Sequence, residues 1–304
     1  IISCTVKKGK IIHDLKIVFS KVGKEITVDN RCIIKFADYI SNLAIILFTP
    51  DDLDIIKGTP SLRRNLLNME LSQLSSKYLK TYNEYNKLLK TRNEYLKILY
   101  LNNIADKNYL DILTDKLIEK AIIIYQIRKE HLDKINKSIG IIYDKITGIS
   151  ELNVEYITNI NLKSYTTDEI KSTLAHKFAQ NYYKELTQGM TLFGPHRDDF
   201  IFSLQNNDIK IYGSEGQKRL ALIAYKLATI PIFKEKLGTE PILLLDDIFS
   251  EIDKTKQNKL LKYIENDMQC IITTTSLVEI NKKYLNNAKI FKIQNGIVSE
   301  ERGE

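Results

Sequence analysis

Cysteine is scarce in this 304-residue chain, and its three copies exclude more than they offer. Cys4, Cys32 and Cys270 are far apart, odd in number and set in apolar, strand-like surroundings. Neither a disulfide framework nor a metal-ligand spacing follows from them, which suits a reducing cytoplasm. Long hydrophobic runs are also missing: "AIIIYQI" and "PILLLDDI" fall well short of a membrane span, so a soluble protein is expected. The 12 glycines include no G-x-x-x-x-G-K-[ST], and the chain therefore carries no phosphate loop. No low-complexity linker and no internal repeat interrupts it. The first residues, "IISCTVKKGK", have neither an initiator methionine nor the charged, apolar and small-residue order of a signal peptide. They read as an internal cut, the start of an N-terminally truncated piece.

What is present is a 43% apolar chain of net charge +7, enough to bury one large core or two moderate ones. A basic balance permits a polyanionic partner, because lysine and arginine release counterions from phosphates. It is equally the mark of a lysine-rich solvated surface. Residues 1 to about 48 alternate β-prone runs with turns ("IIHDLKIVF", "KEITVD", "RCIIKF", "NLAIILF") and read as antiparallel strands. Thr49-Pro50 and Thr59-Pro60 then start two helices in the same way, with threonine as cap and proline at the first helical position.

From about 61 to 147 glycine and proline nearly vanish, and a helical arm of two or three long helices is expected. Tyr78, Tyr82, Tyr85, Leu89, Arg92, Leu96 and Leu99 alternate spacings of four and three, a coiled-coil-like seam interrupted by Arg92. "ELNVEYITN" reads as a lone strand pair, and one capped helix starts near Thr167. After Gly189 the texture becomes α/β: strands "DDFIFSL" and "IKIYG", a long helix from Ser214, strand "PILLLDDI", helix "KTKQNKLLKYIE", strand "QCIITTT", helix "LVEINKKYL" and a hairpin turning at Asn295-Gly296. The division expected is 1–60 for one part of the head, 61–188 for the arm and 189–304 for the rest of the head.

"PILLLDDI" ends a continuous apolar strand in two carboxylates. Such a strand belongs in the middle of a parallel sheet, dry on both faces, and ligands of open α/β sheets sit beyond its carboxyl end. Asp246 and Asp247 are thus placed for a nucleotide's Mg²⁺ and attacking water, or they merely solvate the strand end. "GSEGQ" has two readings as well. Ser214 and Gln217 fit a capping box, and a capped helix N-terminus, with Gly213 and Gly216 leaving room, is also an anion site. Ser250 or Asp253 caps the helix starting near Lys254, and Ser276 with Glu279 forms another box. In "FGPHRDDF", His196, Arg197, Asp198 and Asp199 read as a structural Arg–Asp pair ahead of direct phosphate contact.

The order of these elements is that of an ABC-type ATPase head, and the whole chain resembles the RecF family of bacterial recombination-mediator ATPases. The matching segments are "FTPDDLDIIKGTPSLRR", "GPHRDD", "GSEGQKR", "PILLLDDIFSEID" and "TTT", in family order over most of the chain. The resemblance implies an α/β, ABC/SMC-like head of mixed and antiparallel sheets with an α-helical arm lobe. It implies ATP and Mg²⁺, with Asp246 holding the metal and Asp247 as general base. Ser214, Gly216 and Gln217 would touch the γ-phosphate of ATP held by a partner subunit, Ser250 and Asp253 would lie in the crossing loop, and Thr273 to Thr275, including Thr273 and Thr275, would take the place of a switch residue. "TPDD", with Asp51 and Asp52, falls where the two lobes join.

The family further implies an ATP-dependent homodimer that clamps single-stranded DNA and single/double-strand junctions, works with recombination-mediator proteins in DNA repair, recombination, replication and the SOS response, and is cytoplasmic and nucleoid-associated. Lys57, Arg63, Arg64, Lys77, Lys80, Lys87 and Arg92 are the DNA-phosphate candidates. Without a phosphate loop the chain alone is expected to hydrolyse little or no ATP. Two other readings are an SMC-like head, disfavoured by an arm of only about 90 residues, and an inert interaction module.

Overall fold

A computed structural model describes residues 1–8, 10–21, 23–33, 43–102, 107–249, 252–264, 268–277, 280, 282–285 and 288–301 of the 304. The first part is a four-stranded antiparallel sheet, β1 (Ile2–Lys8), β2 (Ile11–Ser20), β3 (Gly23–Val28) and β4 (Arg31–Cys32), paired in sequence order. The second half of "RCIIKF", residues 34–36, lies outside the described residues. The next strand, β5 (Ile45–Phe48), corrects the antiparallel expectation for "NLAIILF": it runs parallel to β9 (Ile242–Asp246), with Leu47 opposite Leu244.

β9 is the middle strand of three, with β10 (Cys270–Thr273) parallel on its other side. The parallel, central position is as the unalternating sequence requires. Only one face is fully dry, however: Leu243 and Leu245 are buried, while Leu244 is half-covered and its neighbours Leu47 and Ile271 are 45% and 50% exposed.

A 3₁₀ turn over Pro50–Asp52 leads into α1 (Leu53–Lys57), then α2 (Pro60–Leu74). The arm is a hairpin of α3 (Ser76–Asn102) and α4 (Lys107–Asn136), closed by α5 (Ile139–Thr147), whose C-cap Gly148 takes the left-handed φ of 79° that glycine allows. Tyr78, Tyr85, Arg92, Leu96 and Leu99 of the predicted seam are all buried. "ELNVEYITN" forms one strand, β6 (Leu152–Ile157), rather than a pair of its own; its antiparallel partner is β7 (Asp199–Leu204). The single helix expected after Thr167 is two, α6 (Thr167–Gln180) and α7 (Tyr182–Gln188), separated at Asn181.

β8 (Asn207–Asp208) extends the β7 sheet, but "IKIYG" is a helical turn, α8 (Ile209–Tyr212), not a strand. The reason is local: the Asp208 carboxylate accepts from the Lys210 N–H, and Gly213 N–H closes the turn onto the Ile209 carbonyl. The long helix α9 (Glu215–Leu237) follows and packs on α5. After β9 come α10 (Lys254–Ile264), β10, α11 (Lys282–Leu285) and the hairpin β11 (Ile290–Gln294) and β12 (Ile297–Glu301), turning at Asn295-Gly296 as expected. The predicted "LVEINKKYL" helix is described only over α11.

One cluster of buried side chains runs from Ile46 through Tyr78, Tyr125 and Ile142 to Leu243 and Leu261, so packing crosses both predicted boundaries, 60 and 188. At its centre is a buried guanidinium. Arg128 of α4, 1% exposed, donates to the Asn68 side-chain oxygen (2.8 Å), the Tyr78 hydroxyl (3.1 Å) and the Pro195 carbonyl (2.6 Å), with Asp198 at 3.6 Å. Tyr156 of β6 donates to the same Asp198 at 2.6 Å.

Removing one partner of a buried ion pair strands the other, so Arg128→Ala is expected to lower stability by about 3–5 kcal/mol in urea unfolding. The same region fixes a pH signature. Burial pushes the Asp198 carboxyl up to about 6 from its ordinary 3.8, and burial holds the His196 imidazole down to about 4 from 6.5. Between pH 6.5 and 4 the native Asp198 binds extra protons and gains stability on acidification, whereas native His196 binds fewer and loses it. The two oppose each other. His196→Gln is therefore expected to gain stability relative to the parent as pH falls from 6.5 to 4, read from unfolding midpoints at each pH.

Candidate functional site

The carboxyl end of β9 is organised by its neighbour strand. Thr273 stands opposite Asp246 in the β9–β10 register, and its hydroxyl donates to Asp246 Oδ1 at 2.5 Å while accepting from the Asp247 N–H at 3.1 Å. Asp247 leaves the strand with φ of 45°, a left-handed conformation uncommon outside glycine. The Thr273 hydroxyl thus orients one acid and pins the amide of the next. Among the described residues no partner meets Asp246 Oδ2, and Asp246 is exposed. Asp247 lines a small cleft with Phe48, Thr49, Asp52, Arg219 and Leu222, so it lies beside both the "TPDD" turn and the first turns of α9.

At the start of α9 the capping box is formed: Ser214 Oγ accepts from the Gln217 N–H at 3.3 Å, and Gln217 Oε1 accepts from the Ser214 N–H at 2.8 Å. The two flanking glycines differ. A Cβ on Gly213 would lie 2.6 Å from the Ile209 carbonyl oxygen, so the fold itself demands glycine there. A Cβ on Gly216 would meet nothing within 4 Å. Glycine in a helix costs about 0.5–1 kcal/mol relative to alanine, and among the described residues no close approach requires it at 216. Ser214, Glu215 and Gly216 are all exposed. The cap and the open outer surface therefore coexist.

Two contacts tie this turn to the loop before α2. Lys57 forms an ion pair with Glu215, and Lys210 Nζ donates to the Gly58 carbonyl at 2.9 Å. Asp253 does cap α10, accepting from the Lys256 N–H at 3.0 Å, and the hydrogen bond from Lys256 holds its carboxyl below the usual range. Ser250 and Glu279 lie outside the described residues. Thr275 is exposed and Thr274 donates to the Ser276 carbonyl.

The basic candidates separate sharply. Arg63 is buried, clamped on both oxygens of Asp199 at 2.7 and 2.9 Å and donating to the Ile55, Ile56 and Gly58 carbonyls. Arg92 is buried against Glu185 at 2.7 Å and also donates to Thr114 and Thr191. Both are withdrawn from solvent by charge-paired burial and leave the set of phosphate contacts. Lys57 is committed to Glu215. Lys77, Lys80 and Lys87 stay on the exposed face of α3, Lys80 4.0 Å from Glu84, and Arg64 is half-buried.

The Arg–Asp pair expected within "GPHRDD" is corrected: Asp198 and Asp199 face Arg128 and Arg63 from distant helices, while Arg197 of the same segment donates to the Met190 sulfur. Sequence reasoning missed the buried Lys226, which donates to the Leu47 carbonyl and the Asp52 carboxylate while Asp52 accepts from the Thr49 N–H. The Thr49-Asp52 spacing was its only local trace.

Asp246 fits a Mg²⁺ ion: it offers a hard, exposed carboxylate oxygen at a strand end, and Mg²⁺ characteristically takes one or two carboxylates alongside substrate phosphates. Among the described residues no group of three or more His, Cys, Asp or Glu side chains would hold a metal by itself.

No family model matches the chain. It is 40% identical over 291 residues to the DNA replication and repair protein RecF of Ligilactobacillus salivarius (strain UCC118), covering 94% of this chain and 76% of that protein. It is 38% identical over 306 residues to the protein of that name from Pediococcus pentosaceus, covering 100% and 82%. Two solved structures of the recombination mediator protein RecF in the RecFOR pathway superpose on it. The RecF-ATPrS form does so with a TM-score of 0.87 at 28% identity, over 98% of this chain and 79% of that one. The RecF-ATP form gives 0.85 at 29%, over 95% and 76%. The fold is that of an ABC-type ATPase head bearing a helical arm.

The Thr273 hydroxyl is expected to matter more than its methyl. Thr273→Val should lower stability by about 0.5–1.5 kcal/mol, and Thr273→Ser should restore most of it, as measured by urea unfolding.

Proposed function

The chain belongs to the RecF family, and from that premise we propose that it supplies one face of an ATP-dependent homodimer that binds DNA in repair, recombination and replication. Its nucleotide is ATP, closed between two heads: the γ-phosphate held by one subunit meets the signature turn of the other. Ser214 Oγ, the Gly216 backbone and Gln217 form that turn here. The observation that carries the reading is Gly216, a helix-destabilising residue at which, among the described residues, an added Cβ would meet nothing within 4 Å. Its missing side chain serves a group arriving from outside.

In a head that has its own phosphate loop, the acid pair does the chemistry. Asp246 is the ligand for Mg²⁺, which when bound neutralises charge on the phosphates. Asp247 orients the attacking water and takes its proton as the water oxygen bonds to the γ-phosphorus and ADP leaves. Thr273 holds Asp246 and the Asp247 amide in register, and Thr273 and Thr275 stand in the place of the switch residue. Asp253 and Ser250 belong to the loop crossing to the partner.

The 304 residues contain no phosphate loop, so by themselves they turn over little or no ATP. Single-stranded DNA and single/double-strand junctions are the nucleic-acid targets, recombination-mediator proteins the protein partners, and the cytoplasm and nucleoid the location.

Complementation tests the central assignment. An intact RecF-type protein whose own signature serine is replaced by arginine is inactive alone; adding this chain is expected to restore phosphate release at least about tenfold, since one composite site costs only the missing turn. Ser214→Arg should abolish the rescue. Gly216→Ala should raise the chain's stability by about 0.4–1 kcal/mol yet weaken the rescue, a split that a purely structural glycine would not give. No rescue by the unmodified chain would leave an inert interaction module instead.

A further inference from the structure

The three buried arginines each face a carboxylate: Arg63 meets Asp199, Arg92 meets Glu185 and Arg128 meets Asp198. Arg64 and Arg197 do not. Among the described residues, Arg64 donates to the Asp198 carbonyl at 2.7 Å and Arg197 to the Met190 sulfur at 3.4 Å, and neither has an ion-pair partner. Both line one open cleft, together with Thr59, Pro60, Ser61 and His196. The two carboxylates nearby, Asp198 and Asp199, are already answered by Arg128 and Arg63. Burial and the nearby Arg128 make the charge on Arg64 harder to keep, and they push its pKa below the usual arginine value.

The cleft is presented from a rigid base. The Pro195 carbonyl accepts from Arg128, and a Cβ on Gly194 would lie 2.4 Å from the Tyr85 hydroxyl, so the turn can approach α3 only with glycine there. Both nitrogens of His196 are engaged, Nδ1 with the Tyr85 hydroxyl at 2.7 Å and Nε2 with the Thr191 carbonyl at 3.1 Å. That pattern is met by the neutral imidazole, with Nε2–H donating and Nδ1 accepting, so His196 is a wall of the cleft and not a ligand.

The donors left over are specific in kind. Thr59 and Ser61 hydroxyls bond each other at 2.6 Å, which uses one O–H and leaves the other to donate. Arg64 uses one N–H of its fork on the Asp198 carbonyl, and Arg197 is exposed. Two guanidinium forks and a hydroxyl, with no carboxylate in the lining, suit a tetrahedral oxyanion.

We propose that this cleft between the start of α2 and the 194–197 turn binds a backbone phosphate of DNA. The proposal rests on the DNA-binding reading above and gives it a place on the molecule. The contact is independent of base sequence and positions the duplex or strand.

The test is a salt titration of the whole chain binding a fluorescein-labelled duplex with a single-stranded tail, followed by anisotropy. Arg64→Gln with Arg197→Gln is expected to weaken binding roughly tenfold and to reduce the slope of log affinity against log salt by about 0.9, the contribution of one phosphate contact. Because Arg64 also supports the Asp198 carbonyl, the exposed Arg197→Gln alone must show about half of that slope change. Arg64→Lys with Arg197→Lys should keep most of the slope. An unchanged slope in the Arg197→Gln variant, with DNA binding otherwise intact, overturns the cleft and leaves the DNA reading standing. If the unmodified chain binds no DNA, both fall.

Discussion

The architecture depends on where Arg128 puts its charge. One guanidinium, 1% exposed, reaches four separate pieces of chain: Asn68 on α2, Tyr78 on α3, the Pro195 turn and Asp198 at the root of β7. Burying such a group is tolerable only when its donors are taken up and a carboxylate answers it. The requirement therefore fixes the geometry of several elements at once. The arm cannot slide on the head without breaking this set of bonds, and the 194–197 turn cannot relax outward. Arg63 repeats the principle one helical turn from the head, clamped on Asp199 and three carbonyls.

Much of the site was legible because its signals are local. The capping box at Ser214 and Gln217, the apolar central strand ending in Asp246 and Asp247, and the Asn295-Gly296 turn all depend on residues within a few positions of each other. What the sequence hid was long-range. The direction of β5 is set by β9, nearly two hundred positions away. "IKIYG" alternates like a strand, yet Asp208 capping turned it into helix. Arg63 and Arg64 are adjacent and chemically identical, but a helix turns one inward and the other toward the surface. Arg92 carried two incompatible expectations, seam residue and phosphate contact. Burial decided for the seam, because Glu185 waits there to neutralise it.

The acid pair and the signature turn illustrate a division between self-contained and unfinished parts. Thr273, Asp246 and Asp247 complete one another within a single sheet, and Asp247 accepts a left-handed backbone to do so. Ser214 and Gln217 likewise satisfy one another. Gly216 is the exception, since among the described residues no close contact accounts for it. Lys226 joins the two regions: it is buried, anchored on α9, and holds both the end of β5 and Asp52 of the turn beside Asp247.

The short stretch Lys57-Gly58-Thr59 touches two surfaces that have different tasks. Lys57 is paired with Glu215 and the Gly58 carbonyl is held by Lys210, while Thr59 forms part of the cleft with Arg64 and Arg197. Three consecutive residues leave little slack between those anchors. Thermodynamic reciprocity then sets a condition on any pair of ligands: a group that draws Glu215 away from Lys57 alters affinity at Thr59 by the same factor that an occupant at Thr59 alters affinity at Glu215.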